Sequence, residues 1–100
     1  MKNFRTFDLS VAFYRQSRTL PLKGPLKDQL LRAASSIALN LAEGRGRSTI
    51  KDQLKFFHIA MGSVRECQGI LILSEHEDSQ AWKTLDNLAA HLYRLIQKAN

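Results

Sequence analysis

A chain of 100 residues and 11.4 kDa has room for one compact core, and 44% apolar with 24% charged residues excludes a disordered chain. Five Gly and two Pro exclude a collagen-like or low-complexity polymer, the lone Cys67 excludes an internal disulfide, and the longest apolar run, Ile70 to Leu73, is too short to span a membrane. With no apolar signal segment in its opening residues, a cytoplasmic protein is expected, one whose formal charge of +6 is uneven: nine Lys/Arg against three Asp/Glu over residues 1–47, six of each over 48–100.

The helical period recurs four times, and strand alternation is not found. In the first segment Phe4, Phe7, Val11 and Tyr14 share a face, followed by Arg15 and Arg18. Leu20-Pro21-Leu22-Lys23-Gly24-Pro25 stops that helix, and Pro25 suits the first turn of the next, where its missing N–H costs nothing. Leu26, Leu30, Ala33, Ala34, Ile37 and Leu41 form the second stripe, which ends at Gly44. Arg45-Gly46-Arg47 then reads as a short basic loop loosened by its glycines.

Ser48 is expected to cap the third and longest helix. There Ile50, Leu54, Phe57, Met61, Val64, Gln68 and Leu71 form a seam of coiled-coil spacing, and Phe56, Ala60, Ser63, Cys67 and Ile70 a second stripe beside it. Asp78 or Ser79 caps the fourth helix, whose face is Trp82, Leu85, Ala89, Leu92, Ile96 and Ala99. Short connections predict an all-α fold, an up-down-up-down antiparallel four-helix bundle in one domain over residues 1–100. The third helix offers two packable faces, and the first adds Phe4 and Phe13. This surplus apolar surface predicts a homo-oligomer.

Patterns that carry chemistry are sparse. No pair among His58, His76, His91 and Cys67 has the i, i+3 or i, i+4 spacing that sets two ligands on one helical face, so neither metal nor cofactor is expected. Ser35, Ser36 and Ser63 stand among Ala and Gly, where small residues let helices approach, and no base is placed beside them. No Arg precedes a His by four to six residues, the spacing of one helical class of ribonucleases, and no glycine-rich phosphate loop occurs. No catalytic residue and no enzymatic activity are therefore expected.

Arg32, Asn40, Glu43, Ser63 and Glu66 are polar residues in mostly apolar stretches. They predict a buried network joining the second and third helices, in which Glu43→Ala would cost about 1–3 kcal/mol. A Glu43/Glu66 pair doing acid–base work is the lesser alternative. The basic element is Arg45 and Arg47 with Lys51 and Lys55 at four-residue steps, one continuous candidate stripe for RNA or DNA phosphates, with Arg15 and Arg18 as further candidates. A solvated basic face is the bland reading of the same residues.

The run Gln29–Ser48, QLLRAASSIALNLAEGRGRS, resembles the hallmark of the bacterial four-helix bundle proteins encoded in 23S rRNA intervening sequences. Phe56–Glu66, FFHIAMGSVRE, is similar to their second hallmark, and Phe7-Asp8-Leu9 to their opening, so the resemblance covers about three quarters of the chain. Leu31 stands where an Arg is usual, Arg65 is an unusual charge, and the last turn is short. The resemblance implies a non-enzymatic bundle, often a ring-shaped homopentamer, with rRNA as the expected ligand. Related bundles accompany retroelement reverse transcriptases, which implies the alternative of an assembly module for a larger enzyme.

Overall fold

A computed structural model describes residues 4–99 and contains four helices, α1 (Arg5–Thr19), α2 (Pro25–Arg45), α3 (Ile50–Leu73) and α4 (Gln80–Ala99), with no strand among the described residues. Packing runs around a square: α1 touches α2 and α4, and α3 touches α2 and α4. The bundle measures 40 × 22 × 21 Å. One end, the basal end, gathers the start of α1, the α2–α3 connection and the close of α4; the distal end holds the other two connections.

In α1 the buried face is Thr6, Leu9, Ser10, Phe13 and Ser17, a stripe rotated from the expected one. Phe7, Val11 and Tyr14 form a half-buried shoulder, whereas Phe13 is fully enclosed. An apolar count misses this because small hydroxyl residues admit close helix approach, and Ser10 Oγ satisfies itself by donating to Phe7 O at 2.6 Å. Phe4 also lies in the core, against Phe7 and Phe57 with ring centroids 6.5 Å apart in each case. Neither Phe4 nor Phe13 is surplus surface.

Lys27 closes α1 by donating from Nζ to the carbonyls of Arg18 and Leu20, at 2.9 and 2.8 Å. Gly24, at φ 72 and ψ −154, occupies a region open essentially to glycine alone and delivers the chain to Pro25 at the first turn of α2. The α2 core residues are Leu30, Ala33, Ala34, Ile37 and Leu41, as the spacing predicts, joined by Gly44.

The cap of α3 is Thr49, whose Oγ1 accepts from Asp52 N at 3.2 Å; Ser48, the expected cap, lies one residue outside. The two predicted stripes of α3 fuse into one seam, Phe57, Ala60, Val64, Cys67 and Leu71, spaced 3-4-3-4, with Ile70 alongside. Leu54, Met61 and Gln68 on one side and Phe56 and Ser63 on the other are half-buried, while Ile50 is exposed. In a square bundle α3 faces two neighbours, so its second face is used within the chain. Ser79 Oγ caps α4 by accepting from Trp82 N at 3.1 Å. Leu85, Leu92 and Ile96 are core residues as expected, and Leu88, absent from the expected face, is fully buried with them.

Candidate nucleic-acid interface

Four hydrogen bonds fold the α2–α3 connection tightly. Gly46 N donates to the carbonyls of Ala42 and Glu43, Arg47 N donates to Gly44 O, and Gln53 Nε2 reaches back to Arg47 O at 3.0 Å. Its glycines do not loosen it. Gly46 sits at helical φ −83 and ψ −6, and Arg45 is the last residue of α2. Gly44 is there for space: a Cβ would meet Phe57 Cε1 at 2.7 Å and Cδ1 at 2.9 Å. Because α2 closes on α3 at this point, the aromatic rings of the basal end lie beside the basic residues.

The Arg45 guanidinium stands 4.6 Å from the Phe4 ring centre and that of Arg47 stands 4.8 Å from Phe56, which Lys55 Nζ approaches at 5.8 Å. Arg47 also pairs with Glu43 at 2.7 Å, across side chains that are 44% and 52% exposed. A phosphate competing for Arg47 displaces an exposed pair worth about 0.5 kcal/mol at most. Lys51 is exposed one turn before Lys55 and makes no ion pair among the described residues. The predicted single stripe is thus two aromatic perches, Arg45 on Phe4 and Arg47 with Lys55 on Phe56, with Lys51 nearby in sequence.

Arg15 and Arg18 are exposed on the second half of α1, which runs away from Phe4, so the fold sets them apart from the basal group by roughly 16–20 Å of helix rise. Sequence reading missed Arg5, Arg94 and Lys98, which the antiparallel order returns to the basal end; topology, rather than any local motif, was the available signal. Residues 4–12, 36–61 and 90–99 hold seven Lys/Arg against three Asp/Glu, and the remaining described residues hold seven against six. Charge that is divided by halves along the sequence is divided by ends in space. Lys2, part of the basic first half, lies outside the described residues.

The polar network is smaller than expected and centred elsewhere. Ser63 Oγ donates to Ser36 Oγ at 2.9 Å, and Asn40 Nδ2 donates to Ser36 Oγ at 3.1 Å and Ser36 O at 2.9 Å. Arg32, Glu43 and Glu66 are exposed and outside it, because their longer side chains reach solvent from the bundle's outer faces. Glu43 and Glu66 make no buried carboxylate pair.

Burial, with a smaller contribution from neighbouring Glu66, pushes the Cys67 thiol up to about 12, which leaves it a core side chain and a poor nucleophile. Among the described residues no three His, Cys, Asp or Glu gather as a metal site, and no helix is long and apolar enough to cross a membrane.

Comparison with known families yields a match to the model for the 23S rRNA-intervening sequence protein, over residues 4–100. No curated protein matches the chain.

Proposed function

The chain belongs to the 23S rRNA-intervening sequence protein family, and from that premise we propose that it is a non-enzymatic, cytoplasmic bundle whose basal end holds the phosphate backbone of structured RNA, the rRNA first. The observation that carries this reading is the gathering of Arg45, Arg47 and Lys55 on the Phe4 and Phe56 rings within an end that holds seven cations and three acids. Phosphate contacts need several cations on one surface and no base-reading geometry. An aromatic perch limits the freedom of an Arg and so reduces the entropy cost of binding.

Self-assembly as a homopentamer is part of the same proposal. It would repeat the basal end around one rim and multiply weak contacts through avidity. Its apolar support is narrower than the sequence suggests, since Phe4, Phe13 and the second face of α3 are used inside the chain. What remains for contact between copies is Leu39, Ile50, Ile59, Ile72, Leu73 and Tyr93, each exposed. The same residues favour the second reading, an assembly module for a larger protein such as a reverse transcriptase.

Titration against 23S rRNA fragments at two salt concentrations separates the two. RNA binding through phosphates weakens steeply with salt, whereas an apolar protein contact responds little. Replacing Arg45, Arg47, Lys51 and Lys55 by Gln is expected to flatten the salt slope by roughly 0.7–0.9 for each phosphate no longer neutralised, at unchanged helicity and unchanged mass in light scattering. Equal RNA affinity for the variant and wild type would leave the basal end a solvated face and put the assembly reading first.

A further inference from the structure

A cleft of about 580 Å³ lies between the start of α1 and the close of α4, lined by Thr6, His91, Arg94, Leu95, Gln97 and Lys98. We infer that it binds a phosphomonoester, through Arg94, Lys98 and His91 on one wall and Arg5 beside them on α1. The cleft is within the size range of small-molecule sites.

None of its lining residues is acidic. Arg94 and Lys98 are four residues apart on one helix, where like charges repel, and neither has a carboxylate partner among the described residues. His91 is held below its ordinary range by burial first, then by Arg94 and by Arg5, the neighbour in sequence of the lining residue Thr6. These cations are exposed and repel one another only weakly, and an anion seated among them would turn that repulsion into attraction. A monoester dianion offers three terminal oxygens to these separate donors, whereas a backbone diester offers two and a single charge. Thr6 and Gln97 add uncharged hydrogen-bonding groups, and Leu95 an apolar wall for the remainder of the ligand. The phosphate belongs either to a free nucleotide or to the 5′ end of a strand. Arg5, Arg94 and Lys98 count among the seven cations of the basal end, but the cleft shares no residue with the Arg45, Arg47, Lys51 and Lys55 group, so the two can be tested separately.

The test follows the His91 imidazole by NMR across pH in the full chain, with inorganic phosphate, AMP, a 5′-phosphorylated RNA oligonucleotide or its 5′-hydroxyl twin added. Phosphate and AMP are expected to raise the His91 midpoint by about one unit, as an opposite charge close by does. Arg94→Gln with Lys98→Gln is expected to weaken AMP binding about tenfold or more without lowering the melting temperature. Arg5→Gln, on the other wall, serves the same purpose should the double variant misfold. The quadruple Gln variant at Arg45, Arg47, Lys51 and Lys55 is expected to keep the His91 response, so failure of this site and failure of the RNA interface are read separately. A stronger response to AMP assigns a free nucleotide, and a stronger response to the phosphorylated strand assigns a strand end. A midpoint unmoved by phosphate and AMP, or moved as far by chloride at matched ionic strength or by the 5′-hydroxyl strand, would overturn the inference.

Discussion

At position 36 one small hydroxyl accepts from both Asn40 and Ser63 and thereby ties α2 to α3. Ser36→Ala takes the shared acceptor from two half-buried partners, and an unfolding free energy lower by about 1–2 kcal/mol is expected. Glu43→Ala removes one arm of an exposed i, i+4 pair and is expected to change stability by no more than about 0.5 kcal/mol. Urea melts of the two variants check the order, and a larger drop at Glu43 would contradict it. Gly44→Ala sets two effects against each other. Alanine favours a helix over glycine by about 1 kcal/mol. The added methyl group, however, would lie 2.7 Å from a Phe57 carbon and 3.1 Å from Phe56 Cβ. Overpacking of that kind costs about 1–3 kcal/mol, so net destabilisation is expected in a thermal melt. Because Phe57 also touches the Phe4 ring that carries Arg45, the same variant is expected to lower RNA affinity without removing a charge.

The helix ends show which elements are well formed and which are strained. After α3 the chain makes a Schellman turn, His76 N to Leu71 O at 2.8 Å and Glu75 N to Ile72 O at 3.1 Å, which puts Glu75 at φ 60. A left-handed non-glycine residue there carries about 1 kcal/mol of strain, so Glu75→Gly is expected to stabilise the fold by up to that amount, while Glu75→Ala is not. Differential scanning calorimetry of the pair decides it. The four helices themselves were legible in the sequence because apolar residues recur with the helical period, Pro or Gly stands in the first two connections, and a polar turn ending in Asp78-Ser79 precedes the fourth helix. Which residue of a stripe reaches the centre was less so. Ser10 and Ser17 on α1 and Gly44 on α2 are buried because they are small, and a hydrophobicity pattern gives small polar residues no weight. For the candidate interface, the four basic residues were visible but their aromatic supports were not. Phe4 precedes Arg45 by forty-one positions, and only the packed bundle brings them together.

Across the whole molecule the distal end mixes its charges: Arg18, Lys23 and Lys27 stand with Asp28, Glu75, Glu77 and Asp78 in that half. Salt screens charge interactions over about 8 Å at physiological ionic strength, much less than the 40 Å length of the bundle. Replacing Arg15, Arg18 and Lys23 by Gln is therefore expected to leave RNA affinity within about threefold of wild type. The Arg45, Arg47, Lys51 and Lys55 replacement is expected to reduce it far more. Filter binding of both variants at one salt concentration makes the comparison, and equal reductions would show that net charge alone attracts the RNA.

An excess of positive charge at one end of an elongated body is also an electric dipole. At low ionic strength the field of a polyanion exerts a torque on that dipole, turning the molecule end-on before any contact forms, so a larger share of collisions arrives with Arg45 and Arg47 leading. As salt rises, the reach of the field shrinks below the length of the lever it acts on and the torque disappears. Association then slows by loss of alignment as well as loss of attraction, and that part of the salt dependence resides in the arrival rate, not in the lifetime of the complex.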